Sequence, residues 1–282
     1  MRSEAARYLR VISGERKEGA ALPASLDLHV HALLSKTFAF ELASVERLQR
    51  AARDRGLSAF ALTEHIHAAD FWRAHALLAQ RFSYADGVYL GGAVPMFSGA
   101  EITCRGAGDL IVIGDLDAIR ALDRRFRPRL SEGAHPTLAE FLAESRDLPL
   151  IRVGAHPFRP GKELHRCPRH DLRQLDAIET NGRDTGLLGG NVGRVRHLAN
   201  RLGLPVVGSS DTHFWPQLGV VHTVTSLDPI TLLGLRTAIA RGSTRVRIRA
   251  DVAPLVRFCR SHKKYVKAHR AAERPRLGEE VA

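Results

Sequence analysis

Eight short apolar runs recur along the chain, and the stretches between them carry helix punctuation. The runs are LDLHVH (26–31), AFALTEH (59–65), MFSGAEIT (96–103), DLIVIGDL (109–116), LIRVGAH (150–156), AIET (177–180), PVVGSSDTH (205–213) and HTVTSL (222–227). Most read as strands buried on both faces rather than as alternating ones. Between them, SVERLQRAARDRG starts at Ser44 as N-cap and stops at Gly56, and Thr137 with Glu140 has the spacing of a capping box. A third helix has Asp228 as N-cap, Pro229 at its first position and Gly242 at its end. The glycine-rich GRDTGLLGGNVGR (182–194) lacks dinucleotide spacing and a Gly-Lys-Ser/Thr, and reads as a flexible loop. Regular β-α alternation calls for a parallel sheet covered by helices.

With 282 residues, 44% of them hydrophobic and 26% charged, the chain can bury a sizeable core as two small domains or one α/β barrel. No stretch is apolar for long enough to span a membrane. The first 20 residues are charged throughout and offer no signal-peptide core, and Cys104, Cys167 and Cys259 have neither zinc-finger nor redox spacing. Both features fit a cytoplasmic protein.

Ionisable residues gather where the strands end: His29 and His31, Glu64 and His65, Glu101, Asp115, His156, Glu179 and Asn181, and Asp211 and His213. In a parallel barrel those ends converge on one face, where active sites sit. Neutral imidazole and carboxylate are ligands for Zn²⁺, Mn²⁺ or Fe²⁺. Strand alternation lets His29 and His31 grip one ion, with Asp27 deeper on the same face as a supporting partner, and Asp211 with His213 repeats the pattern. The other histidines (75, 135, 165, 170, 197, 222, 262 and 269) lie outside strand ends and read as surface residues.

In their order, DLHVH, ALTEH, GAE, GAHPFRPG and GSSDTH resemble the motifs of the PHP family, named for polymerase and histidinol phosphatase. The likeness runs from about Leu26 to about Gly242 and implies a distorted (β/α)7 TIM-like barrel. The domain boundaries expected from it are an N-terminal extension (1–24), the barrel (25–250) and a basic C-terminal tail or helix (251–282). The family hydrolyses phosphoesters with a metal-bridging hydroxide and up to three divalent ions. Carried over by motif, His29, His31, Glu101 and Asp211 hold the first ion. Glu101 bridges to a second, shared with His156, and His65 and His213 serve a third. The catalytic roles implied are those of Glu101, Asp211 and His156.

Two departures stand out. The family places Ser-Asp-Gly after its H-x-H, whereas this chain reads Ser35-Lys36-Thr37, and Glu64 replaces the usual Asp of T-D-H. The second site lacks its histidine between Glu101 and His135, with Asp115 as the candidate substitute. Lys36 has three readings: a loop lysine, an ammonium in place of the third ion that holds a substrate phosphate, or a bystander while His67 supplies the missing ligand. Arg159, Lys162 and Arg183 follow strand ends and are candidates for binding phosphate.

The net charge of +12 concentrates after residue 243, in TRVRIRADVAPLVRFCRSHKKYVKAHRAAERPR. That segment is either a solvated face or a landing strip for a polyanion. The reading is therefore a phosphoesterase acting on a nucleotide, a nucleic-acid end or a small phosphorylated metabolite, with nucleic acid also reachable through the tail. Against it stand a catalytically altered barrel that binds nucleic acid or a partner, and a metal-dependent amidohydrolase, which would need a bridging lysine that LIRVGAH and AIETNG do not offer.

Overall fold

Each of the eight apolar runs forms a strand in the computed structural model, which describes residues 23–131, 133–226 and 230–272. In chain order the elements are β1 (Ala24–Val30), α1 (Leu42–Asp54), β2 (Ala59–Leu62), α2 (Phe71–Arg81), β3 (Ser83–Ala85), β4 (Val88–Leu90), β5 (Met96–Cys104), β6 (Gly108–Ile113), α3 (Leu116–Ser131), α4 (Leu138–Glu144), β7 (Ile151–Gly154), α5 (Arg169–Leu172), β8 (Ala177–Asn181), α6 (Gly182–Leu187), α7 (Asn191–Leu202), β9 (Val206–Ser209), β10 (Val221–Thr225), α8 (Leu232–Ala240), β11 (Thr244–Ile248) and α9 (Val252–Ala272). The strands lie in the order β11-β10-β1-β2-β5-β6-β7-β8-β9, with β3 and β4 branching off β5. The last strand returns to the first region through a bridge from Thr212 to Val30 and a bond from Gly208 N to Thr223 Oγ1, so the sheet is a nearly closed, parallel-rich barrel. Among the described residues, no helix is long and apolar enough to cross a membrane.

The sheet is not wholly parallel. β6 runs antiparallel to both β5 and β7, and β10 runs antiparallel to β1. Only Arg105, Gly106 and Ala107 separate β5 from β6, which closes a hairpin and leaves no room for a crossover helix. The direction of β6 has a consequence for the site. Its N-terminal end, at Asp109, joins the C-terminal ends of its neighbours, and its C-terminal end points away.

Apolar side chains fill the barrel below that rim, among them Leu26, Leu28, Ala61, Phe97, Ile111, Ile113, Val153 and Val207. Two outer layers seat the helices on the sheet: Val45, Leu48, Phe60 and Leu62 under α1, and Ile119, Phe126, Phe141 and Val195 on the other side.

Several local expectations hold. Thr137 and Glu140 form a reciprocal capping box, and Gly56 and Gly242 follow their helices with φ of +67° and +61°. Others change. α1 begins earlier than Ser44: Glu41 is its N-cap, because the added turn packs Leu42 against the outer core, and Ser44 accepts from Arg47. The N-cap assigned to Asp228 and Pro229 lies outside the described residues, and Thr231 caps α8 through Gly234 N. The expected loop 182–194 is helical over α6 and the start of α7. Two of its five glycines serve close packing, since a Cβ on Gly182 would come within 2.9 Å of the Ser210 backbone and one on Gly186 within 2.9 Å of Val256. His75 is buried rather than at the surface, with Nδ1 2.9 Å from the Tyr89 hydroxyl, and His135 is half-buried.

Candidate metal centre

The side chains that converge on the rim come from seven strands or their ends. β1 delivers His29 and His31 through a bulge: Asp27 pairs with Phe60 and Val30 with Leu62, so Leu28 and His29 together oppose the single residue Ala61. The bulge turns both imidazoles inward and leaves Asp27 on the face of Phe60, which lies in the outer layer. Asp27 therefore meets His29 at the backbone rather than at the ring: its Oδ1 accepts the His29 N–H at 3.4 Å. Its carboxylate accepts the buried N–H groups of Ser210 (2.9 Å) and Gly219 (2.8 Å), which ties β1 to the loop after β9. Burial pushes its acid up to about 6 against those hydrogen bonds.

Glu179 takes the supporting role instead. Its Oε1 lies 2.8 Å from His29 Nδ1 and accepts from Ser209, and its Oε2 accepts the His156 N–H at 2.8 Å. Glu64 does the same for His31: Oε2 is 3.4 Å from Nδ1, and Oε1 accepts the N–H groups of Ala32 and Leu33. Glu64 thus sits behind a histidine rather than on the open face. Such partners fix an imidazole's tautomer and direction.

Three groups of donor atoms result, each with all atoms within 4.8 Å of one another: His29, His31 and Asp211; Glu101, Asp109 and His156; and His31, His65 and His213. Glu101 lies between them, with Oε2 3.4 Å from His31 Nε2 and 2.8 Å from His65 Nδ1, and Oε1 3.2 Å from His156 Nε2. Asp109 Oδ2 is 3.4 Å from the same His156 atom. Asp115, the substitute expected from sequence, is at the opposite end of β6, where it accepts the Ala118 N–H and caps α3. Asp109 was missed because its strand was read as parallel; the three-residue hairpin is the signal that would have found it.

The donor set suits cations. Tetrahedral ligands about 2.1 Å from an ion are about 3.4 Å apart, and the separations here are close to that. His29 Nε2 and His31 Nε2 face each other at 3.0 Å, and His65 Nδ1 makes no hydrogen bond despite its 2.8 Å approach to Glu101. Burial drives His65 down to about 3 and His213 well below its usual value, so both stay neutral and able to donate lone pairs. Burial also opposes charge on His29, but Glu179, Asp211 and Glu101 outweigh it and raise that histidine. Burial opposes the Asp211 charge too, yet Arg159 and His29 hold its acid well below the usual range. Asp211 and His156 both adopt left-handed backbone, with φ of +53° and +30°, a strain that clusters at functional sites.

The expected phosphate-binding residues divide. Arg159 is committed to the protein: Nη2 donates to Asp211 at 2.6 Å and Asn181 at 3.0 Å, and Nε to Asp184 at 2.9 Å. Lys162 contacts Asp109. Arg183 lines an open cavity beside Asp211. Lys36 and His67 meet, with Nζ 2.6 Å from Nε2, at the edge of the third group. Burial, then the neighbouring Lys162, lowers the Lys36 ammonium from its ordinary value.

Residues 191–244 match a family model described as PHP-associated. No curated protein sequence matches. Among solved structures, PsfC from Pseudomonas syringae PB-5123 is 27% identical with a TM-score of 0.68, over 86% of this chain and 99% of that one. The lesion-specific endonuclease PfuEndoQ from Pyrococcus furiosus is 18% identical (TM-score 0.61), over 80% of this chain and 58% of its own. A two-domain protein from Bacteroides vulgatus, containing a predicted PHP-like metal-dependent phosphoesterase, is 16% identical (TM-score 0.56), over 87% of this chain and 75% of its own.

Proposed function

We propose that the chain is a PHP-type, metal-dependent phosphoesterase whose substrate is a nucleotide, a nucleic-acid end or a small phosphorylated metabolite. The observation that carries this reading is the convergence of three donor groups from both ends of the chain and from both strand directions. His29, His31 and Asp211 would hold one divalent ion, and Glu101, Asp109 and His156 a second, with Glu101 facing both. Zn²⁺, Mn²⁺ and Fe²⁺ all suit these nitrogen and oxygen donors. When bound, such ions lower the pKa of water and neutralise charge on phosphoryl oxygens.

The chain's own residues prepare the centre. Glu179 and Glu64 aim His29 and His31, and Arg159 fixes Asp211 while keeping it ionised. At the third group, Lys36 brings an ammonium to His67 where relatives carry a metal ligand, so we assign two ions rather than three. Lys36 then supplies the remaining positive charge toward a substrate oxygen. The likeness to an endonuclease and the cations of α9 support a nucleotide or nucleic-acid substrate, to be tested beside simple monoesters.

The test is metal analysis of the purified chain with a phosphoester panel run in Mn²⁺, Zn²⁺, Fe²⁺ and Mg²⁺. Two equivalents of metal and hydrolysis that is lost in His29→Ala and Asp211→Ala are expected. A folded, metal-free protein inactive on the whole panel would overturn the assignment in favour of a barrel that only binds.

A further inference from the structure

The basic segment at the C-terminus is not detached from the site. α9 lies along α6 and the turn Trp215–Gln217; on its apolar side Val252 and Val256 are buried against Val220 and Val221, and Cys259 is buried too. Gly186 makes this approach possible, because a side chain there would collide with Val256. The adjoining stripe of the helix, Arg260, Lys263 and Lys267, follows the spacing of one face. Those three residues, with Arg183, line a cavity of about 300 Å³ whose wall includes Asp211 and His213. The cavity therefore opens directly beside the His29, His31 and Asp211 group.

Its charge is uncompensated. Among the described residues no carboxylate lies within ion-pair distance of Arg183, Arg260, Lys263 or Lys267. Asp211, the acidic group in the wall, is already bound by Arg159. Lys263 is half-buried, and burial, aided by Lys267 and Arg183 and opposed by Asp211, brings its ammonium down to about 8. A helix that packs an apolar side and holds several cations around one hollow, with no carboxylate in ion-pair reach of them among the described residues, is arranged for a mobile anion.

We propose that this cavity binds a second phosphoryl group of the substrate, so that the preferred substrate carries one phosphoryl at the metal centre and another under α9. The inference rests on the phosphoesterase reading for the first position and on α9 for the second. The same chemistry is offered by a small bisphosphate and by the adjoining phosphodiester of a nucleic-acid strand.

The experiment compares the wild-type chain, as purified with its metal, with Lys263→Gln, Lys267→Gln and the double variant. Inorganic pyrophosphate and inorganic phosphate are titrated calorimetrically into each. Charge-assisted contacts of this kind are each worth about tenfold in affinity. With two such contacts, pyrophosphate is therefore expected to bind about 100-fold more tightly than phosphate, and that preference is expected to fall about tenfold in each single variant and about 100-fold in the double variant. Lys267 is exposed, so its single variant reads the effect if the double variant folds poorly. An unchanged preference in a folded variant overturns the proposal. In parallel, kcat/KM is measured for a monophosphate ester, an alkyl bisphosphate and a 5′-phosphorylated dinucleotide. A lysine-dependent advantage for either doubly charged substrate supports the proposal and identifies the source, and no advantage for either overturns it. Lysine-dependent pyrophosphate binding with no hydrolysis of any ester would sink the phosphoesterase reading while the anion cavity stands. Hydrolysis indifferent to both lysines would sink the cavity and leave the phosphoesterase.

Discussion

Asp27 gives the most direct test of how the barrel positions its ligands. Its carboxylate is completely buried and accepts two short backbone hydrogen bonds, from Ser210 N at 2.9 Å and Gly219 N at 2.8 Å. Asp27→Asn preserves shape but leaves one oxygen. Whichever way the amide turns, its NH₂ faces a backbone N–H, and one buried donor loses its acceptor. A hydrogen bond to a charged group is worth roughly 1.5–3 kcal/mol, so the expected loss is about 2–3 kcal/mol. With a urea slope near 3 kcal/mol/M, the unfolding midpoint should fall by roughly 0.7–1 M. Metal bound per folded chain should not change, because the bulge at Leu28–His29 separates this carboxylate from the imidazoles. Glu179→Gln should do the opposite: its oxygen faces His29 Nδ1, and disturbing such a partner weakens metal affinity about 10–100-fold. An Asp27→Asn chain that loses metal while keeping its urea midpoint would refute this placement.

Asp109→Asn should remove about one equivalent of metal by elemental analysis, whereas Asp115→Ala should leave metal content intact and lower stability by about 1 kcal/mol through loss of a helix cap. Lys36→His should add an imidazole beside His65, His67 and His213 and raise the metal content from two equivalents to three; an unchanged stoichiometry would count against the ammonium occupying that place. His75 is held neutral down to about 4 by burial, so its contribution is complete above the unfolded value of 6.5 and is lost as pH falls from 6.5 toward 4. That interval corresponds to about 3 kcal/mol, and His75→Leu should flatten this part of the pH profile of urea unfolding.

The strands and the rim residues were legible in the sequence because both depend on local pattern. An apolar run ending in His or Asp announces its own strand and its own end, as GSSDTH does at Asp211. Direction was less legible. Whether β6 runs with or against its neighbours depends on three hairpin residues, and that choice decided between Asp109 and Asp115. The bulge in β1 was invisible for a similar reason: strict alternation placed Asp27 with the histidines, and only the pairing with β2 shows the extra residue. The glycines of 182–194 were ambiguous because glycine marks both loose loops and close packing, and the helix that Gly186 accommodates lies 70 residues further on at Val256.

The placement of charge follows one logic at two depths. Inside the rim, the carboxylates of Glu64, Glu101, Asp109, Glu179 and Asp211 are all buried, and each has an imidazole, an Arg or a Lys within reach. Buried anions survive only with such compensation. Outside the rim the balance inverts: among the described residues Arg183, Arg260, Lys263 and Lys267 have no carboxylate in ion-pair reach, around a cavity that touches the same Asp211. Negative charge that collects cations therefore lies directly beneath positive charge that collects anions. A phosphoryl substrate meets both demands at once, and a neutral amide or an apolar partner meets neither. That asymmetry, rather than the histidine count alone, is the ground for proposing phosphate esters as substrates.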